Sequence, residues 1–194
     1  MTEPLDEAVN AAQKSALVET TLFKNRVISL FGEIDKDSTR STVGKLLALA
    51  QESSDPITMY LSSPGGHVES GDSVYDVIRF IEPKVRIVGT GWVGSAAFLI
   101  YLAAERENRL ALPNTRFLIH QPAGGVGGDA ADIEIHAREI IKMRSRINKI
   151  IAERTGQSLE RIEQDTERDY WMTAEEAKEY GAVGRIISSA RELD

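Results

Sequence analysis

The sequence predicts an α/β layer fold in which buried strands alternate with amphipathic helices. Four short runs rich in Val, Ile, Leu and Phe are each bounded by Gly, Pro or polar residues, which is typical of buried strands. These runs are RVISLFG from Arg26, ITMYLSS from Ile57, VRIVGTG from Val85 and RFLIH from Arg116. Helical patterns lie between and after them, at about 39–52, 69–81, 95–105 and 131–154. Strands that alternate with helices favour a layered α/β sheet.

The chain of 194 residues, 42% of them hydrophobic, is long enough for one well-buried domain. Residues 1–19 are polar and rich in alanine, so we expect a mobile or helical N-terminal arm there and one domain over 20–194. Near the C-terminal end, Ser158 begins a short acidic helix as an N-cap. Thr173 and Glu176 form a capping box, and a final strand is expected at about 183–187.

Composition excludes several classes of function. The net charge of −7 and the absence of a basic block make nucleic acid an unlikely partner. There is no cysteine, which excludes thiol catalysis, disulfides and cysteine-ligated metal. The longest apolar stretch, residues 96–104, is far shorter than the roughly 20 residues that span a bilayer. The N-terminal segment lacks the apolar core of a secretory signal, so we expect a cytoplasmic protein without a membrane partner.

Ser95 stands between a run of glycines and an apolar helix, in the segment GTGWVGSAAFLIYLA. A serine at this point is a helix cap, a packing residue or a nucleophile. The unpaired amides and the positive end of the helix dipole favour negative charge there. The spacing Gly-x-Ser-x-Gly is absent, because Ala97 occupies the last position, and a lipase-type elbow is therefore excluded.

A second candidate element is the turn SSPGGHV, residues 62–68, between a strand and a helix. Consecutive glycines without a Cβ allow backbone amides to approach a bound group, which suits an oxyanion site, although an ordinary turn has the same composition. The chain has three histidines. His120 ends a predicted strand, and active sites often lie at the ends of strands. Alternatively, His120 is a polar residue whose hydrogen bonds are satisfied at the strand end. We expect His67 to be a solvated loop residue and His136 a surface residue.

A third residue would have to orient the histidine, and DTERDYW offers Asp165, Glu167 and Asp169. Spacing alone does not choose among them, although the aromatic pair after Asp169 could bury that carboxylate. Metal binding is not expected, because no two histidines stand at i, i+4 and the acidic residues do not follow the calcium-loop spacing.

Five motifs follow one another along the chain: SPGG, Gly-x-x-x-Ser, LPNTRFLIHQP, DIEIHAREI and TGQSLERIEQDTERD. With these motifs in this order, the chain resembles the proteolytic subunit of the Clp protease, a self-compartmentalising serine peptidase. The likeness runs from about Lys24 to Ile187. It implies a spiral of β-β-α units shared with the crotonases, and a protruding strand-helix handle at about 123–154. It also implies an endopeptidase that hydrolyses peptides and, with an AAA+ unfoldase, unfolded proteins.

Carried over by position, the resemblance makes Ser95 the nucleophile, His120 the general base and Asp169 its orienting partner. It assigns the oxyanion amides to Gly66 and Ala96. Gln121 and Arg168 fall where the family couples ring contact to alignment of the triad.

The resemblance further implies an assembly of two stacked seven-membered rings, with Gly124 to Gly128 and Asp132 to Arg154 forming the handle between them. The chain itself would need no cofactor, because ATP is used by the partner unfoldase. The sequence departs from the family pattern at Ala96-Ala97, where Met-Gly is usual, at Trp92, where a small or polar residue is commoner, and at the N-terminus, which lacks the usual axial hairpin. These changes fit a second paralogue that assembles with another catalytic ring.

Two alternatives remain open at this point. One is a regulatory or structural subunit of a mixed ring, whose triad is inactive in isolation. The other is a crotonase-like acyl-CoA enzyme, because that superfamily shares the fold and the paired-amide oxyanion hole.

Overall fold

The structure is a computed structural model that describes residues 3–125 and 127–193. Met1 and Thr2 of the expected arm and Val126 of the glycine-rich segment lie outside the described residues. No helix in the described part of the chain is both long and apolar enough to cross a membrane.

A seven-stranded sheet organises the fold. The strands are β1 (Val27–Phe31), β2 (Ile57–Ser63), β3 (Val85–Gly94), β4 (Arg109–Ala111), β5 (Arg116–Ile119), β6 (Tyr170–Thr173) and β7 (Arg185–Ile186). The main path of the sheet runs through five parallel strands in the order β1-β2-β3-β4-β7. Strand β5 pairs in parallel with the far end of β3, and β6 pairs antiparallel with β5.

Seven α-helices are present in the described residues: α1 (Glu3–Lys24), α2 (Lys36–Glu52), α3 (Val68–Phe80), α4 (Ala96–Ala103), α5 (Ala130–Thr155), α6 (Leu159–Asp165) and α7 (Ala174–Glu179). Helix α2 begins three residues before the predicted boundary, because the Asp35 carboxylate accepts from the N–H groups of Asp37 and Ser38. The predicted N-cap at Ser158 and the capping box of Thr173 with Glu176 are confirmed.

Helix α4 lies at the centre of the molecule. All eight of its residues are buried, and it packs against α3, α5 and the sheet. A helix that is apolar on every side is stable only when it is covered on every side, which explains why its sequence, AAFLIYLA, carries no charge. The core thus holds the N-terminus of α4, and Ser95 before it, in one fixed place.

The described residues between β5 and α5 form neither a helix nor a strand. Residues 121–125 and 127–129 pair with none of the described strands. A β-strand needs a partner for its backbone groups, so an isolated chain leaves this glycine-rich stretch without a ladder.

The buried hydroxyl of Tyr101 provides a test of how α4 is fastened to the sheet. It donates a 3.0 Å hydrogen bond to the Leu110 carbonyl, and burial raises the pKa of this tyrosine. We expect Tyr101→Phe to cost about 1 kcal/mol of unfolding free energy, which corresponds to about 2–4 °C in Tm for a domain of this size. Tyr75→Phe is the control, because the half-buried Tyr75 hydroxyl bonds to none of the described residues. Equal melting temperatures for the two variants by circular dichroism would contradict this expectation.

Candidate active site

Three strand ends meet at one edge of the sheet and bring the predicted triad residues together. Ser95 follows β3, His120 follows β5 and Asp169 precedes β6. Gly94 of β3 is paired with Leu118 of β5, and Ile119 is paired antiparallel with Tyr170. Extending that antiparallel register by one residue sets His120 opposite Asp169. The fold therefore collects at this edge residues that are 74 positions apart in the chain.

The backbone at Ser95 is strained. Its φ of 53° and ψ of −123° lie in a region that non-glycine residues rarely adopt. The position is held by a hydrogen bond from its N–H to the Leu118 carbonyl, 2.9 Å, and by Phe98 N–H, which donates to the Ser95 carbonyl over 2.9 Å. The Ser95 hydroxyl makes no capping bond to α4. Strain of this kind costs about 1–3 kcal/mol and is concentrated at functional sites, so the structure favours a chemical role over the cap.

The glycine turn lies directly against Ser95. A Cβ on Gly65 would come within 2.6 Å of the Ser95 Cβ and 2.9 Å of the Ala96 nitrogen, so no side chain fits there. Gly66, with a φ of +148°, forms a bridge with Ile34, and its own N–H donates to none of the described residues. Ala96 is the first residue of α4, where helical geometry offers its N–H no acceptor. The N–H of Ala96, directly after Ser95, and that of Gly66, one residue after the glycine that contacts Ser95, thus have no acceptor among the described residues.

The sequence alone assigns no separate role to Gly65. The double glycine in SPGG is a signal of close backbone approach, but spacing cannot show which glycine carries the contact. In the structure the two glycines differ: Gly65 leaves room for Ser95, and the N–H of Gly66 donates to none of the described residues.

His120 is half-buried and lies between two cavities. A small apolar pocket of about 20 Å³, room for one water-sized group, joins His120 to Ser95. A wider cavity on the other side joins His120 to Asp169 and Arg168. The apolar pocket is lined by Val68, Phe98, Leu99, Ile119, Pro122, Ile147 and Ile151.

The three side chains are close but are not linked. Among the described residues no hydrogen bond joins Ser95 Oγ to His120, or His120 to Asp169. Catalytic hydrogen bonds are commonly long or misaligned before substrate binds. The three predicted triad residues therefore lie at one edge of the sheet without hydrogen bonds among their side chains.

The contacts of the acidic segment distinguish its three carboxylates. Asp165 accepts from the Tyr180 hydroxyl over 2.7 Å, and burial, together with this carboxylate, raises the pKa of Tyr180. Glu167 is paired with Arg144 over 2.7 Å. Asp169 bonds to none of the described side chains and is exposed, so the expectation that the neighbouring aromatics bury it is wrong. It is the carboxylate of the three that is free to approach His120.

Hydrogen bonds connect the histidine segment to the long helix α5. Gln121 N–H donates to the Thr166 carbonyl over 2.6 Å, and Gln121 Nε2 donates to the Glu167 carbonyl over 2.9 Å. The buried Thr166 hydroxyl is 3.3 Å from Asn148 Oδ1 on α5. Thr166 thus contacts both α5 and the residue next to His120.

The other two histidines lie elsewhere. His67 is the N-cap of α3, where its ring nitrogen accepts from the Ser70 N–H, a role that sequence analysis did not foresee. Its other ring nitrogen is 3.3 Å from a Glu69 carboxylate oxygen. His136 lies exposed on α5, as expected.

Comparisons with known proteins show the family to which the chain belongs. The Clp protease family profile matches residues 10–190 of the chain. The chain is 58% identical over 175 residues, 90% of both proteins, to the ATP-dependent Clp protease proteolytic subunit 3 of Rhizobium etli. It is 54% identical over 170 residues, 88% of this chain and 85% of the relative, to proteolytic subunit 2 of Pseudomonas aeruginosa. The solved structure of ClpP1 from Listeria monocytogenes is similar with a TM-score of 0.83 and 50% identity, covering 91% of this chain and 99% of the other.

Proposed function

Because the chain belongs to the Clp protease family and is a proteolytic subunit of an ATP-dependent protease, we propose that it is a serine endopeptidase with Ser95 as its nucleophile. The observation that carries this proposal is the strained backbone of Ser95 beside two available amides. Neither a structural serine nor an acyl-CoA enzyme requires a serine with an uncapped hydroxyl in this strained conformation. The names of the relatives do not favour the crotonase-like alternative.

In the proposed mechanism His120 takes the proton from Ser95 Oγ as that oxygen attacks the peptide carbonyl carbon. The N–H groups of Gly66 and Ala96 donate to the oxygen that becomes negatively charged. The tetrahedral intermediate then collapses, His120 gives its proton to the departing amine, and an acyl-enzyme ester remains. Water, deprotonated by His120, hydrolyses this ester and restores Ser95. Asp169 orients the ring of His120 and stabilises its protonated form.

The apolar pocket beside Ser95 supports a preference for substrates with an apolar side chain next to the scissile bond. Its walls are aliphatic and aromatic, and the described residues place no charged side chain in its lining. Its small volume favours a small apolar side chain, since the space holds about one water-sized group.

Clp proteolytic subunits work as oligomers with ATPase partners, and we propose the form of the assembly as two stacked seven-membered rings. The unpaired glycine segment supports this proposal, because it offers a free strand edge to a second subunit. Ile133, Ile135 and Ile141 on α5 are also exposed, on different sides of the helix. Contact of a second subunit with α5 would move this helix and, through Asn148 and Thr166, bring His120 into line. Docking of an AAA+ unfoldase and pairing with a second paralogue belong to the same proposal.

Labelling with a fluorophosphonate, read by intact mass on the assembled protein, tests the proposed nucleophile. We expect one adduct per chain on the wild type, none on Ser95→Ala, and labelling slowed at least about hundredfold in His120→Ala. Ser73→Ala is the matched control, because this exposed serine of α3 bonds only to the Glu69 carbonyl. An adduct that persists in Ser95→Ala would refute the proposal. A folded, ring-shaped wild type without any adduct would instead support the regulatory-subunit alternative.

A further inference from the structure

Trp92, Trp171 and Arg116 form a three-residue stack on the exposed face of the sheet. The two indole rings lie 5.9 Å apart and are parallel within 3°. The Arg116 guanidinium lies 4.6 Å from the centroid of the Trp171 ring. Both tryptophans are more than a third exposed, with accessible fractions of 39% and 36%. These are the chain's two tryptophans, so the entire indole content of the protein is in this stack.

The register sets this stack on the same face as the active-site residues. Trp92 is paired with Arg116, and Trp171 is paired with Leu118. Because side chains alternate along a strand, Arg116, Leu118 and the position of His120 lie on one face. By the same alternation, Asp169 lies on the face of Trp171. The stack therefore continues the row of side chains that contains the base and its partner.

Each member of the stack belongs to a different strand that leads to a triad residue. Trp92 is three residues before Ser95, Arg116 is four before His120, and Trp171 is two after Asp169. We propose that the stack of Trp92, Arg116 and Trp171 is a clamp that sets the relative positions of the three triad-bearing strands. Its members are positioning residues, since they act on the reaction through Ser95, His120 and Asp169.

The need for such a clamp follows from the short strands. Strands β5 and β6 have four residues each, and β6 is paired on one side only, with β5. Few ladder hydrogen bonds hold them, so cross-strand side-chain contacts have a large share in fixing their angle. The Trp171 ring crosses over β5 to reach Trp92 on β3. In this way β6 is held to a strand with which it shares no backbone bond.

The clamp predicts a particular kinetic signature. The proposal of the clamp rests on the proposed function of the same site. Loss of the stack would leave the apolar pocket and the oxyanion amides in place and would misalign Asp169 and His120 with Ser95. We expect Trp92→Ala and Trp171→Ala to lower kcat and the fluorophosphonate labelling rate about tenfold to hundredfold. The KM for a short fluorogenic peptide would change by less than about twofold. Trp92→Phe and Trp171→Phe would retain most of the rate, because a phenyl ring still stacks.

The control is Phe80→Ala, which removes an aromatic side chain that is 82% exposed on α3 and leaves the stack intact. Near-ultraviolet circular dichroism reports the stack directly, because both indoles of the chain contribute to one coupled signal. Size-exclusion chromatography shows that each variant is assembled. If an alanine variant does not assemble, Trp92→Leu, Trp171→Leu and Arg116→Gln remove the aromatic or cationic contact of the same stack with a smaller loss of volume, and the same fall in kcat is expected.

The proposal is overturned if the alanine variants lose the coupled indole signal and keep the wild-type labelling rate. A raised KM at unchanged kcat also overturns it, because that result would make the tryptophans a binding surface for substrate. Failure of the proposed function is a different result: the wild type would then not be labelled, or Ser95→Ala would be labelled equally.

Discussion

Gly65→Ala is expected to reduce peptide hydrolysis to about a hundredth of the wild-type kcat/KM or less. The new methyl group would lie 2.6 Å from the Ser95 Cβ, 2.7 Å from the Gly94 carbonyl oxygen and 2.9 Å from the Ala96 nitrogen. Two of these neighbours are backbone atoms, so the contact is relieved only by moving the nucleophile or the helix start behind it. A displacement of about 1 Å at a reacting group is enough for such a loss.

Gly32→Ala is the matched control for this substitution. Gly32 has a φ of +87°, close to the +98° of Gly65, but nothing lies within 4 Å of the Cβ that it would gain. Both variants therefore carry the backbone strain of an alanine at positive φ, about 1–2 kcal/mol, and only Gly65→Ala carries the collision. Steady-state hydrolysis of a fluorogenic peptide and melting curves separate the two effects. Equal activity in both variants would mean that the turn moves away from Ser95 without consequence.

Asp169→Asn is expected to lower kcat by about 10³ to 10⁴ with little change in stability. An asparagine keeps the shape of the side chain, but it removes the charge that stabilises protonated His120 and it permits the wrong ring tautomer. Because Asp169 is exposed and bonds to none of the described side chains, the substitution breaks no structural contact. The loss would therefore appear in turnover and in the labelling rate, while the melting temperature stays unchanged.

The neighbouring carboxylates provide the comparison. Asp165→Asn weakens the contact with the Tyr180 hydroxyl, and Glu167→Gln breaks the ion pair with Arg144. We expect the first to lower the melting temperature and the second to disturb alignment only modestly, since exposed pairs are worth about 1 kcal/mol or less. A kcat loss that follows Glu167→Gln and spares Asp169→Asn would assign the orienting role to Glu167.

Much of the fold could be predicted from local patterns. Four strands were visible because buried parallel strands are nearly continuous apolar runs. The uncharged α4 was visible for a related reason, since a helix without a polar face must be covered on every side. The family and its peptidase function were also predicted from the motifs, and the comparisons confirm both.

Strands β4 and β6 could not be predicted, because their short segments RLA and YWMT carry no periodic signal. Their partners decide their structure: β4 pairs with β3 and β7, and β6 pairs with β5. The antiparallel pairing of β6 with β5 sets Asp169 opposite His120. Spacing along the chain did not choose among the three carboxylates, and this pairing supports the choice of Asp169 that the family resemblance implied.

The amino-acid sequence by itself determined most of the helices and the longer strands, which residue types the candidate site contains and to which family the chain belongs. These properties depend on side-chain periodicity, on caps and on motifs, all of which are local along the chain. Only the tertiary structure decided that Gly65 must lack a side chain, that Asp165 and Glu167 are already engaged, and that Trp92 lies on Trp171. Each of these depends on a contact between distant segments, and such contacts follow from strand register and packing, which no local pattern encodes.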